Sequence, residues 1–195
     1  MKYNLSEIND LIRNRRTIYP EQFKDRKVHR DMVETILTNG LWAPTHGKTQ
    51  PWRFKVYMEE GKVQLKEKML RLYKALTPSE NFKEAKYRRI GDRLDRTSVL
   101  VLLAMERTPE TRIPEIEEVE AVSCAAQNIL LSATAYGLGA FWSSPGFLYR
   151  SEANEEFGFK SDDKILGLIY LGYPAGEWPK SHRKPLEFVT EWIDE

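Results

Sequence analysis

SVLVLLAME, residues 98–106, decides how this chain is built. The apolar run from Val99 to Met105 is far shorter than the ~20 residues of a membrane span, and it lacks the polar alternation of a half-exposed strand. It therefore reads as a strand covered on both faces, and such a strand is central to its sheet. Everything on either side of it must supply the covering layers.

Downstream, Pro114 followed by Glu115, Glu117, Glu118 and Glu120 is a helix start. Proline suits the first turn, and acids suit the positive end of the helix dipole. The continuation EAVSCAAQNILLSATAY is apolar nearly all round and rich in Ala and Ser, so a long buried central helix is expected, stopped by Gly137. LGAFWSS is a short strand, SEANEEFGF a short helix and KILGLIYLG a second buried strand, with Gly167 and Gly172 marking close approach or a strand end. The tail from Tyr173 has no helical period and is expected to run extended over a surface.

Upstream, residues 61–96 hold two charged amphipathic stretches parted by Thr77-Pro78, a helical pair covering something. WRFKVYM sets Phe54, Val56 and Met58 against Lys55 and Tyr57, as a half-buried strand does. VHRDMVETILTNGLWAP is a helix ended by Pro44, and Leu5, Ile8, Leu11 and Ile12 define a short N-terminal one. No repeat or linker interrupts the 195 residues, so a single domain, 1–195, is expected. Its class is α+β: a mixed central sheet flanked by helices.

Composition narrows function less than it narrows fold. With 30 Lys+Arg against 29 Asp+Glu the net charge is +1, which gives no global field for nucleic acid. The cations Lys83, Lys86, Arg88, Arg89, Arg93 and Arg96 are interleaved with acids and read as one solvated helix face. The sole cysteine, Cys124, reads as a packed core thiol in a reducing cytoplasm, and the three histidines show no metal-ligand spacing. MKYNLSEINDLIRNRR lacks the apolar centre of a secretory signal, so the sequon Asn4-Leu5-Ser6 is expected to be idle. Neither a nucleophile elbow nor a glycine fingerprint for phosphate is found.

What remains is donors at element ends. Arg15-Arg16-Thr17 suits a phosphate and a polyol chain, or is a solvated basic turn. In LWAPTHGKTQPWRF (41–54), Pro44 and Pro51 stiffen a loop carrying Thr45, His46 and Gln50. It either presents donors to a planar polar ligand or is a locally capped connection. Trp142-Ser143-Ser144-Pro145-Gly146 and Arg183-Lys184 add an aromatic, hydroxyls and charge, which together suit a large aromatic anion.

These segments resemble the FMN-dependent nitroreductase family, especially its small single-domain members. The likeness rests on RRTIYPEQF (15–23), APTHGKTQPWRFKVY (43–57), AVSCAAQNILLSATAYGLGAFW (121–142), LGLIYLGYPAGEWP (166–179) and HRKPLEF (182–188). It implies a homodimer with two FMN sites at the subunit interface. Arg15, Arg16, Thr17 and Arg183 would then meet the phosphate and ribityl chain, with His46 and Gln50 reaching in across the dimer, and Phe141, Trp142, Ser143 and Ser144 running along the flavin. The implied activity is ping-pong reduction of an electron-poor acceptor, a nitroaromatic or quinone, by NADH or NADPH, with no catalytic side chain and no metal. The alternative is an FMN storage or sensor protein. Tyr19 stands where many relatives carry a cation, and residues 61–97 would form a lid or wall limiting the acceptor.

Overall fold

In the computed structural model, which describes residues 2–108, 110 and 112–194, Val99–Met105 is strand β2 and is fully shielded from solvent. β1 (Trp52–Met58) pairs with it on one side and β4 (Lys164–Gly172) on the other. β3 (Gly139–Ser143) lines the outer edge of β4, so the order is β1-β2-β4-β3. All three pairings are antiparallel. The expected mixed sheet differs because an unbroken apolar run reports burial and says nothing of direction. Among the described residues the sole parallel pairing is the bridge between Thr17 and Ala140.

β2 sorts its side chains by the period of two. Leu100, Leu102 and Ala104 enter one core with α3 (Gly61–Leu76), α4 (Glu84–Arg96) and α6 (Ser151–Phe157). Val99, Val101 and Leu103 enter the other with α2 (Arg30–Gly40) and α5 (Glu115–Ala135). Gly40 lies against Ile129 so closely that a side chain there would meet its Cγ1 at 2.9 Å, which lets α2 settle on α5. α1 (Leu5–Asn14) is capped by the Asn4 side chain, which accepts from the Ser6 and Glu7 amides at 3.0 and 3.4 Å, so the asparagine of the sequon serves as a helix cap.

β4 changes faces partway along. Ile165, Leu168 and Tyr170 all join the α3 core, which strict alternation forbids, and the register against β2 slips between Leu103 and Ala104. Leu166-Gly167 is thus a bulge of two residues against one. Gly167 sits at φ +134°, and a Cβ on it would lie 2.6 Å from the Ser143 carbonyl oxygen and 2.7 Å from Trp142 Nε1. Both the turn of the chain and the approach of β3 require glycine here.

α3 covers the sheet as a helix anchored in the core by Leu65, Met69, Leu72 and Tyr73. Three further expectations are corrected. Cys124 is exposed, because α5 buries one face only: Glu118, Ala121, Val122, Ala125, Ala126, Ile129, Leu130 and Ala133 point inward, and Cys124 and Gln127 point out. Arg93 leaves the solvated face of α4 and is held among aromatic rings. Past Pro179 the tail does not lie down on its own chain: Leu186, Phe188, Val189, Trp192 and Ile193 are all exposed, the last at 83%. No described helix is long and apolar enough to cross a membrane.

Gly167→Ala should cost about 3 kcal/mol or more, through strain and the collision with Ser143. Gly146→Ala, with nothing within 4 Å of the added carbon, should stay within about 0.5 kcal/mol. Chemical denaturation reads both as shifts in midpoint at unchanged slope.

Candidate functional site

The end of α1 turns into the sheet at Thr17, where the Ile18 amide donates to the Ala140 carbonyl at 3.0 Å. This fixes Arg15, Arg16 and Thr17 at the outer edge of β3. Arg16 is largely committed to the backbone: Nε donates to the Pro179 carbonyl at 3.0 Å, and Nη1 donates to those of Arg13 and Arg15 at 2.5 and 2.8 Å. The Trp178 indole donates to the Asn14 carbonyl beside it, so the tail is buckled to α1 and delivers Arg183 to the same place. Arg183 donates to the Ser181 hydroxyl and the His182 carbonyl, both at 2.8 Å. The Arg15 side chain has no hydrogen bond among the described residues.

Three guanidinium groups therefore gather here, and among the described residues none is paired with a carboxylate. Partial burial, then the facing charges of Arg183 and Arg16, lower the Arg15 pKa below that of an ordinary arginine. Mutual repulsion of this kind is relieved by an anion.

β3 supplies the adjoining edge. Because the Ala140 carbonyl faces outward, so do the backbone groups of Trp142 two residues on, and no described strand pairs with them. The side chains diverge: Trp142 turns to the α5 face, donating to the Leu166 carbonyl at 3.2 Å, while Phe141 packs 4.9 Å from the Tyr19 ring and 5.4 Å from Tyr170. Ser143 is half-buried and Ser144 exposed.

His46 and Gln50 lie elsewhere. Their loop is shaped by Gly47 at φ +57°, where a side chain would strike Ile113 at 2.8 Å, and by Lys48 and Gln50, which also hold positive φ. Thr45 Oγ1 accepts from the Gln50 amide at 3.2 Å and pairs with the Thr49 hydroxyl at 3.1 Å, so local capping sets the loop while the Gln50 side chain is left exposed. His46 Nδ1 meets Glu117 Oε2 at 2.5 Å, near the start of α5. The arginines enter beside Ala140, just past its end. Eighteen residues of helix separate Glu117 from Ala135, about 27 Å of axis. One copy of the chain does not bring the loop and the arginines to a common ligand.

A further pair escaped the sequence reading. Glu118 is buried, one carboxylate oxygen bound by Arg107 and the other without a partner among the described residues. Arg107 also donates to the Ile113 carbonyl at 3.0 Å, and its amide donates to Asp163 at 3.0 Å. The pair so holds Ile113 against Gly47 and supports the loop from behind. The signal was present, since Glu118 shares a helix face with Val122 and Ala125, but an acid in a first turn reads as dipole chemistry.

A sheet with a helical layer on each face defines an α+β domain, and its β3 edge carries three arginines without a carboxylate partner among the described residues. Residues 12–173 match the model of the Nitroreductase family, and the chain belongs to that family. YfhC of Bacillus subtilis, provisionally named an NAD(P)H nitroreductase, is 30% identical over 93% of this chain and 91% of its own. The crystal structure of a nitroreductase-like protein from Bacillus cereus superposes with TM-score 0.83 at 28% identity, covering 100% of this chain and 99% of that one. A relative from Desulfovibrio desulfuricans, solved in complex with FMN, shares the fold at TM-score 0.72 and 24% identity, over 100% of both chains.

Arg107→Leu strands a buried carboxylate and should destabilise the protein by about 3–5 kcal/mol, whereas Arg107→Leu with Glu118→Leu should recover most of that loss. Denaturant midpoints of the two variants make the comparison.

Proposed function

We propose that this chain is an FMN-dependent oxidoreductase that uses NADH or NADPH to reduce an electron-poor acceptor, such as a nitroaromatic or quinone, and works as a homodimer. The observation that carries this reading is the Arg15, Arg16 and Arg183 cluster, three cations without an acid on the edge of a nitroreductase-family sheet. The donor set fits the cofactor. Arg15 and Arg183 have the charge and the fork geometry for a phosphate, and Thr17 offers a hydroxyl to the polyol chain. The backbone groups of Trp142 and the hydroxyls of Ser143 and Ser144 suit the polar rim of an aromatic ring.

When bound, FMN supplies the hydride chemistry, and the protein positions it. Arg16 shapes the phosphate end through its three carbonyl contacts. His46 and Gln50 serve the neighbouring copy, a role supported by the length of α5 between them and their own chain's arginines. A second copy is also favoured by the apolar residues left exposed, among them Leu5, Ile8 and Ile12 on α1, Trp42 at 82% and the tail. The 61–97 segment acts as a fixed wall, with α3 rooted in the core and α4 facing the site through Arg93. A cytoplasmic location accords with an exposed, unpaired Cys124.

The purified protein should bind FMN with a flavin absorption spectrum, be bleached by NADH or NADPH, recover colour with a quinone, and sediment as a dimer. A flavin that nicotinamide does not bleach would favour the storage reading, and no flavin binding would overturn both. Within this reading, Arg183→Gln should weaken FMN binding about 10-fold or more and leave riboflavin affinity nearly unchanged, because only the phosphate contact is lost. Fluorescence titration of the two ligands separates the effects.

A further inference from the structure

Arg93 occupies a place that solvation does not explain. Its guanidinium lies 5.4 Å from the Tyr19 ring centre and 5.1 Å from that of Phe141, and its Nε donates to Glu21 at 2.7 Å. Its side chain is 22% exposed, and the two terminal nitrogens make no hydrogen bond among the described residues. Tyr19 is two residues past Thr17, and Phe141 is next to Ala140, the partner of Thr17 in the bridge. The cation therefore rests on one ring beside the segment assigned to the phosphate and ribityl chain and on one ring in the segment assigned to the flavin, while belonging to neither.

The local field is set by a small group. Burial pushes the Glu21 carboxyl up, but the hydrogen bond and charge of Arg93, with Arg89 behind it, outweigh this and hold it below the usual range. Tyr170, whose phenol burial pushes strongly up, feels both Arg93 and Glu21. The cluster is one guanidinium with unspent donors, partly offset by one half-exposed carboxylate.

We infer that Arg93, delivered from α4, is the positive group that favours the reduced state of the bound FMN, with Glu21 setting how much of its charge the ring feels. The inference rests on the function proposed above. Two electrons and one proton, the equivalent of the hydride taken from NADH or NADPH, turn the neutral oxidised ring into an anion. A cation beside the ring stabilises that anion more than the neutral form. Position 19, lacking a charge of its own, then serves as the aromatic shelf on which Arg93 rests.

The test is the redox potential of FMN on the intact protein, measured spectroelectrochemically with the affinities of oxidised and reduced FMN. Arg93→Gln should weaken reduced FMN about tenfold more than oxidised FMN, a fall of about 30 mV in the two-electron potential. Arg93→Lys should restore most of it, and Glu21→Gln should move the potential upward. Equal weakening of both redox forms marks Arg93 as merely structural and overturns the inference. If Arg93→Gln does not fold, the sign from Glu21→Gln decides: a rise supports the inference, and no change or a fall overturns it. Wild-type protein that binds FMN while the variants leave its potential unmoved defeats this inference alone; wild-type protein that binds no FMN defeats the proposed function with it.

Discussion

A strand with no side chain in water can exist only inside a sandwich, and the rest of this molecule follows from that constraint on Val99–Met105. Each alternate residue must find a separate apolar layer, so the chain spends α2 and α5 on one side and α3, α4 and α6 on the other. At ~25 cal/mol per Å2 of apolar surface, leaving either layer off would forfeit several large side chains' worth of burial. β1 and β4 become the obligatory neighbours, and β3 is left as an edge. That edge is where the cationic groups collect.

The edge is kept available by local devices rather than by its own strand propensity. Gly167 admits β3 to close range, the bulge turns Ile165 back to the α3 core, and the Leu166 carbonyl so exposed takes the Trp142 indole. The Trp178 and Arg16 contacts then bind the first helix to the tail, which brings Arg183 some 170 residues along the chain to Arg15. The like charges so assembled are the ones the proposed phosphate contact would neutralise.

Much of this was legible in the sequence, for physical reasons. Strands at Trp52–Met58 and Lys164–Gly172 announce themselves through apolar patterning, and Pro114 and Gly137 bracket α5, because local sterics and burial act residue by residue. What could not be read depends on partners distant in the chain. An apolar run has no arrow, so strand direction was hidden. Leu65, Met69, Leu72 and Tyr73 do fall at helical spacing, yet Lys66, Glu67, Lys68 and Arg71 between them masked how deeply α3 is rooted. Cys124 and Gln127 share a helix with Ala125 and Ala126, and only the packing of α2 against it says which pair faces out. The ring contacts of Arg93 unite residues 19, 93 and 141, which no window of sequence contains.

The strand order has a last consequence, for how the chain reaches this state. No neighbouring pair in the sheet is joined by a tight turn: the chain leaves β1 at Met58 and returns in β2 at Val99, and β2 waits for β4, which begins at Lys164. No hairpin can seed the sheet, and each pairing requires closing a long loop first. Assembly is thus expected to be governed by non-local contacts, slow for a chain of this size, with the helical layers condensing before the ladders register.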